Sequence, residues 1–175
     1  YISRKGAVVY GFWQNTQYFD EYILDLKRQF RPKYALGKEG QHLHDIIVKG
    51  QSVGVHIRRG DFVRLGWDKG AEYYNNGMEL LRKQLKNPYF YIVTDDVVWA
   101  KKQYASTKDV TIVDMLTPNK DIDEFFLLSS CRHQIISEST FGWWAAYLNT
   151  CADKKVLVPK TAKGQIFENK DWIKI

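Results

Sequence analysis

No stretch of about 18 or more uncharged apolar residues occurs among the 175 positions of the chain, which excludes a membrane-spanning helix. The first residues, YISRKGAVVY, lack the apolar run of a secretory signal peptide. Cysteine is scarce: Cys131 and Cys151 make neither a disulfide framework nor a zinc-ligand spacing. With no N-x-S/T sequon either, a reducing, bacterial-type cytoplasm is the expected setting. Nor is charge of one sign gathered in blocks. The 26 Lys and Arg against 20 Asp and Glu leave +6 spread along the chain, which favours an anionic partner but not the long basic run of a nucleic-acid tail. A compact phosphate ligand is therefore expected, and nucleic acid is not.

What is present is the composition of one globular domain, 45% hydrophobic and 26% charged. Short β-rich runs stand at 6 to 13, 52 to 58, 89 to 95, 110 to 114, 133 to 137 and 155 to 159. Between them TQYFDEYILDLKRQF, AEYYNNGMELLRKQLK, VVWAKKQYA, DIDEFFLLSSC and TFGWWAAYLNT have helical spacing. Strict alternation of strand and helix is the sequence form of an α/β fold, a Rossmann-like parallel sheet with helices on both faces. KEGQHLHDIIVKG, 38 to 50, reads as a helix-and-loop passage, so residues 1–50 form a leading strand and helices and residues 51–175 the main sheet domain. In such sheets the ligand sits beyond the carboxyl ends of the strands, where the connections diverge.

One strand ends in a way that needs explaining. In VGVHIRRGDF, 53 to 62, a buried-type strand runs into His56, Arg58, Arg59 and Asp61, although ionised groups are costly to bury without partners. Alternation keeps Ile57 in the core and sets His56 and Arg58 on the opposite face, while Gly60 lets the chain turn sharply. Two guanidiniums at a strand end suit a diphosphate, whose oxygens match their donor forks. The purely structural alternative pairs Arg58 and Arg59 with Asp61 and neighbouring carboxylates.

Two further constellations stand at strand ends. Thr94, Asp95 and Asp96 close an apolar strand before a helix, so one of them caps it or an aspartate accepts from a base or sugar hydroxyl. In SESTFGWWAAYL, 137 to 148, hydroxyls and free amides at a helix start form an anion site, or Ser139 or Thr140 is only a cap. Trp143 and Trp144 read as packing. Asp121 and Asp123 make a D-x-D that can hold a metal, but Asp121 with Glu124 reads as a capping box, and no metal is expected. His42, His44 and His133 lack partners at ligand spacing. Trp67, Asp68, Glu72, Tyr73 and Tyr74 follow the arginine motif and either meet an acceptor or supply a base, or are loop and helix residues without such a role.

HIRRGD (56 to 61), FYIVTDD (90 to 96) and SESTFGWWAAYL (137 to 148), with SSCRH (129 to 133) leading into the last, resemble in order and separation the α-1,2-fucosyltransferase family. YGFWQNTQYF and the closing WIKI are similar to family text as well, so the resemblance covers nearly the whole chain.

The resemblance implies a metal-independent, inverting transfer of fucose from GDP-fucose to the 2-hydroxyl of a galactose-terminated glycan acceptor, without cofactor. The implied architecture is GT-B, two facing Rossmann-like domains, of which this chain is the carboxyl-terminal, donor-binding part. The Gly-rich stretch with which the family usually opens does not occur here, and Glu138 and Gly142 stand where asparagine and serine are common. On this analogy His56, Arg58, Arg59 and Asp61 lie in the donor site, with Arg58 catalytic on the diphosphate and Arg59 leaving the other face of the strand. Asp95 addresses the guanine or ribose, and Ser139, Thr140 and Phe141 line the nucleotide pocket. Asp68 and Glu72 are nominated as base by position only. The implied setting is bacterial lipopolysaccharide or capsule synthesis, cytoplasmic or peripheral to the membrane. The alternatives are a GDP-sugar transferase of other specificity, such as mannosyl transfer, and a non-catalytic nucleotide- or glycan-binding domain.

Overall fold

Every residue of strand β1 (Ser52–Ile57) is buried, because β1 has a strand on each side and helices over both faces. In a computed structural model that describes residues 15–162 and 167–175, two 3₁₀ turns at Thr16–Tyr18 and Asp20–Tyr22 lead into α1 (Ile23–Gln29) and α2 (Lys38–Lys49). After β1 come α3 (Gly60–Leu65), α4 (Gly70–Gln84), β2 (Tyr89–Thr94), α5 (Val97–Tyr104) and β3 (Val110–Ile112). The chain then forms α6 (Lys120–Ser130), β4 (His133–Ile136), α7 (Thr140–Leu148), β5 (Val156–Val158) and β6 (Ile173–Lys174). The strand expected at 6 to 13 lies outside the described residues.

The six strands lie in the order β3-β2-β1-β4-β5-β6, and every pairing is parallel. Alternation along the strands decides which helices each face can hold. Val53, Val55, Ile57, Phe90, Ile92 and Ile135 form one core with Tyr74, Met78 and Leu81 of α4 and Ala100 and Tyr104 of α5. Tyr91 and Val93 form the other with Ile47 of α2, Leu127 and Leu128 of α6 and Ala145 of α7. The Rossmann-like sheet with both faces covered is thus the fold of the described residues.

Two local expectations need correction. Gly60 does not turn the chain sharply: it opens α3, and the left-handed glycines are Gly66 and Gly70. What Gly60 supplies is room, since a Cβ there would lie 2.6 Å from Asp95 Oδ2. Asp121 and Glu124 form no capping box, because Asn119 holds the cap position of α6 without a side-chain bond and Glu124 instead accepts from Met115 N. The closing WIKI contains a strand, β6, which pairs Ile173 with Leu157 and Lys174 with Val158. Asp123 is not free to act with Asp121 either, since its carboxylate accepts from Thr117 Oγ1 at 2.6 Å and Tyr34 Oη at 3.1 Å.

Gly54 marks where α6 meets the central strand most closely. A Cβ there would stand 2.7 Å from Leu128 Cδ1 and 3.2 Å from the Leu128 carbonyl oxygen, and the carbonyl belongs to a helix that cannot yield alone. Gly54→Ala is expected to destabilise the fold by about 1–3 kcal/mol, the usual cost of overpacking. Urea unfolding measures this, and an unchanged midpoint would contradict the close approach of α6.

Candidate functional site

The strand order creates one place where connections part. From β1 the chain leaves through α3 and α4 towards β2; from β4 it leaves through α7 on the opposite face towards β5. The crevice between the carboxyl ends of β1 and β4 is the topological switch point, where open α/β sheets bind ligands. Register sets the two motifs abreast: His56 pairs with Ile136, and His56 Nδ1 lies 3.1 Å from Ser137 Oγ across 81 positions of sequence.

His56 is buried and held from three directions. Ser137 meets its Nδ1, Phe141 stacks on its ring at 5.1 Å and 26°, and Gly142 leaves the space behind it, where a Cβ would lie 2.7 Å from Nδ1. Burial, with the nearby Arg58 charge adding to it, pushes the imidazole pKa down to about 3. The ring is therefore neutral throughout the physiological range and acts as a hydrogen-bonding and packing group, not as a cation.

The consecutive arginines separate. Arg59 turns from the crevice: its side chain, 15% exposed, pairs with Asp68 at 2.7 Å and Asp96 at 3.2 Å and lies over the Trp99 ring at 4.2 Å. Arg58 is 39% exposed, with Asp61 at 2.9 Å and Asp95 at 3.1 Å. Thus the structural alternative, pairing with Asp61 and neighbouring carboxylates, describes bonds that the protein makes. Of the two, only Arg58 also lines the cavity, and three of its five N–H groups face carboxylates. Two remain for a ligand.

The strand-end aspartates divide in the same way. Asp96 caps α5 by accepting from Trp99 N at 2.9 Å. Asp95 accepts from Arg59 N at 2.8 Å through Oδ1 and holds Arg58 through Oδ2, while also lining the cavity. At β4, Ser139 caps α7 by accepting from Phe141 N at 3.3 Å, Thr140 is exposed and Phe141 is half-buried beside His56. Neither base nominee lines the cavity: Asp68 is tied to Arg59, and Glu72 is exposed on α4.

A cavity of about 390 Å³ opens at the carboxyl ends of β1 and β2, and Asp61, Ser139 and Thr140 are not in its lining; the volume is within the range of small-molecule sites. His56, Arg58, Asp95 and Phe141 line it together with Lys120 and Glu124 from the start of α6. Lys120 and Glu124 were missed as site residues by the sequence reading. The available signal was a glutamate on the helix face that carries Leu127 and Leu128, where a buried charge demands a reason. A second cavity, of about 340 Å³, lies at the amino end of β1 near Ser52, Arg132 and Cys151, at the opposite end of the strand from Arg58. Among the described residues no group of three His, Cys, Asp or Glu is placed to hold a metal ion, and no helix is long and apolar enough to cross a membrane.

The comparisons with known proteins agree with the motifs. An α-1,2-colitosyltransferase of Escherichia coli is 33% identical over 157 residues, 83% of this chain and 53% of that protein. The O-antigen biosynthesis glycosyltransferase WbnK of Escherichia coli is 27% identical over 171 residues, 90% of this chain and 55% of that protein. The human galactoside α-(1,2)-fucosyltransferase 1 is 30% identical over 155 residues, 79% and 42% of the two chains. The chain spans about half the length of the bacterial relatives. With the family profile matching residues 4–175, almost the whole sequence, the chain belongs to Glycosyl transferase family 11.

Proposed function

We propose that this chain is the donor-binding part of an inverting, metal-independent glycosyltransferase of GT-B architecture that moves fucose from GDP-fucose to the 2-hydroxyl of a galactoside. The observation that carries the reading is Arg58, a half-exposed guanidinium fixed by Asp61 and Asp95 at the switch point with two N–H groups left over. Family membership supports the reaction class. The galactoside acceptor rests on the name of the human relative, and the bacterial O-antigen setting on the name of WbnK. The colitosyltransferase relative favours colitose as a second reading of the sugar transferred.

The chemistry follows from where charge grows. As the bond between the sugar C1 and the phosphate oxygen breaks, negative charge accumulates on the leaving diphosphate. Arg58 stabilises it through its free donors, aided by the amides at the start of α7, and these need no reorganisation at that moment. Neutral His56 contributes shape and a hydrogen bond, and Asp95 keeps Arg58 aimed while facing the ribose side. Phe141 forms part of the opposite wall, with Ser139 and Thr140 behind it at the start of α7. An acceptor hydroxyl attacks from the face away from the diphosphate, losing its proton to a carboxylate or to solvent; Asp68, held by Arg59, and Glu72, exposed on α4, do not line the cavity to receive it.

Arg58→Ala is expected to lower GDP affinity roughly 10- to 100-fold, as loss of charge-assisted bonds does, with little change in melting temperature. Arg59→Ala is expected to do the reverse, because it strands Asp68 and Asp96 while leaving the cavity intact. Calorimetric titration with GDP beside thermal melts separates the two, and wild-type GDP affinity in Arg58→Ala would remove the donor-site assignment. Chelation with EDTA should leave GDP binding unchanged; strict dependence on Mg2+ or Mn2+ would overturn metal independence.

The depressed pKa of His56 sets a third expectation. Between about 3 and the unfolded value near 6.5 the unfolded chain binds the proton and the folded chain does not, so this group's contribution to stability falls as pH drops through that window. Urea midpoints from pH 7 to pH 4 should fall more steeply for the wild type than for His56→Gln. Equal slopes would mean that the imidazole protonates in place.

A further inference from the structure

The wall that α6 lends to the cavity has a chemistry that the diphosphate does not use. Glu124 is 4% exposed. Its Oε1 accepts from Met115 N at 3.2 Å and lies 3.6 Å from Lys120 Nζ. Its Oε2 has no hydrogen-bond partner among the described residues, and it is not among the oxygens sealed from solvent, as Glu138 Oε1 is. A carboxylate held this deep is costly to ionise. Burial accordingly pushes the Glu124 carboxyl above its ordinary range, against the opposing pull of Met115 N–H and Lys120. Lys120 is anchored by Asp114 at 2.7 Å and lines the same cavity. The site thus presents one group that can only donate beside one that, ionised, can only accept, with the apolar surfaces of Val97 and Phe141 in the same lining.

We infer that Glu124 and Lys120 read the edge of the nucleobase and select guanine, Glu124 Oε2 accepting from the ring N–H and amino group while Lys120 donates to the carbonyl oxygen. Guanine offers an acceptor, O6, next to two donor positions; adenine offers an amino donor where guanine has O6. Lys120 facing that amino group would set donor against donor, and the unprotonated ring nitrogen would meet the carboxylate, acceptor against acceptor. Selection against adenine therefore comes from two mismatches left unpaired in a half-closed wall. The inference rests on the donor-site reading of the cavity, in which Arg58 takes the diphosphate at the strand end and the base lies towards α6.

The test is calorimetric titration of wild type, Glu124→Gln and Lys120→Met with GDP, IDP and ADP, with Arg58→Ala as a separate arm. IDP keeps the carbonyl and ring N–H but lacks the amino group, so it isolates one of the two Glu124 contacts. The wild type is expected to prefer GDP to IDP about tenfold and to ADP by roughly 100-fold or more. Glu124→Gln should bring GDP and IDP within about threefold of each other, and Lys120→Met should weaken both about tenfold with ADP unchanged. A folded Glu124→Gln protein that keeps the wild-type ratio of GDP to IDP overturns the inference. If circular dichroism shows that variant unfolded, Lys120→Met decides: loss confined to GDP and IDP supports base reading, and equal loss or no loss for all three nucleotides overturns it. Failure of the wild type to bind GDP, or of Arg58→Ala to weaken it, removes the donor site itself. Loss in Arg58→Ala with unaltered selectivity in both α6 variants removes only the role of Glu124 and Lys120.

Discussion

Asp95 ties the end of β2 to the turn after β1 with both of its oxygens: one accepts the Arg59 amide, the other holds the Arg58 guanidinium. The rest of the site depends on that carboxylate. By fixing the Arg59 backbone it settles which way each arginine goes, sending Arg59 across to Asp68, Asp96 and Trp99 and leaving Arg58 at the cavity. Gly60 is part of the same arrangement, since any side chain there would meet Asp95 Oδ2. A salt bridge of this kind adds little to stability where water reaches it; its value here is positional, because a guanidinium with fixed donors binds phosphate without first losing rotamer freedom.

The central strand shows how a fully buried segment can end in charge. Along β1 the only ionisable side chain is His56, and burial keeps it neutral. Full charges begin at Arg58, beyond the last paired residue Ile57, where carboxylates from α3, from the loop before α4 and from the end of β2 converge on the two guanidiniums. Neither Arg58 nor Arg59 needs a ligand to be paired in the folded chain. Folding and binding are therefore separable at this site: the ligand finds two remaining N–H groups on Arg58 and does not complete an otherwise unstable cluster.

Much of this was legible in the residues. Alternating strand and helix patterns located the main sheet, since a doubly covered parallel strand must be apolar on both faces, as SVGVHI and YFYIVT are. The switch point was legible too, because charges at strand ends have few other reasons to be there. What escaped was set by contacts distant in sequence. Glycine tolerance suggested a turn at Gly60, but the requirement came from Asp95, a carboxylate on the neighbouring strand's end. DIDE matched a capping box, yet Asn119 starts the helix earlier and the Met115 amide claims Glu124. The two residues of β6 are too few for a periodic signal, and they form a strand only because the edge of β5 is open to them.

The two departures from common family text have different physical meanings. Gly142 sits where α7 passes behind His56. A Cβ at this position would stand only 2.7 Å from Nδ1, so the ring and the helix can keep their present contact only if the residue has no side chain. A serine at this point would displace the imidazole or the helix start. Glu138 is instead bound to a neighbour of its own, Lys69 at 2.7 Å, which also reaches Thr161. That pair links the loop before α4 to the end of β4, across the two sides of the switch point. A neutral asparagine could not draw the ammonium across in the same way, since it lacks the charge that offsets the partial burial of Lys69. Glycine at 142 thus shapes the wall behind the histidine, while glutamate at 138 governs how firmly the two rims of the crevice are joined.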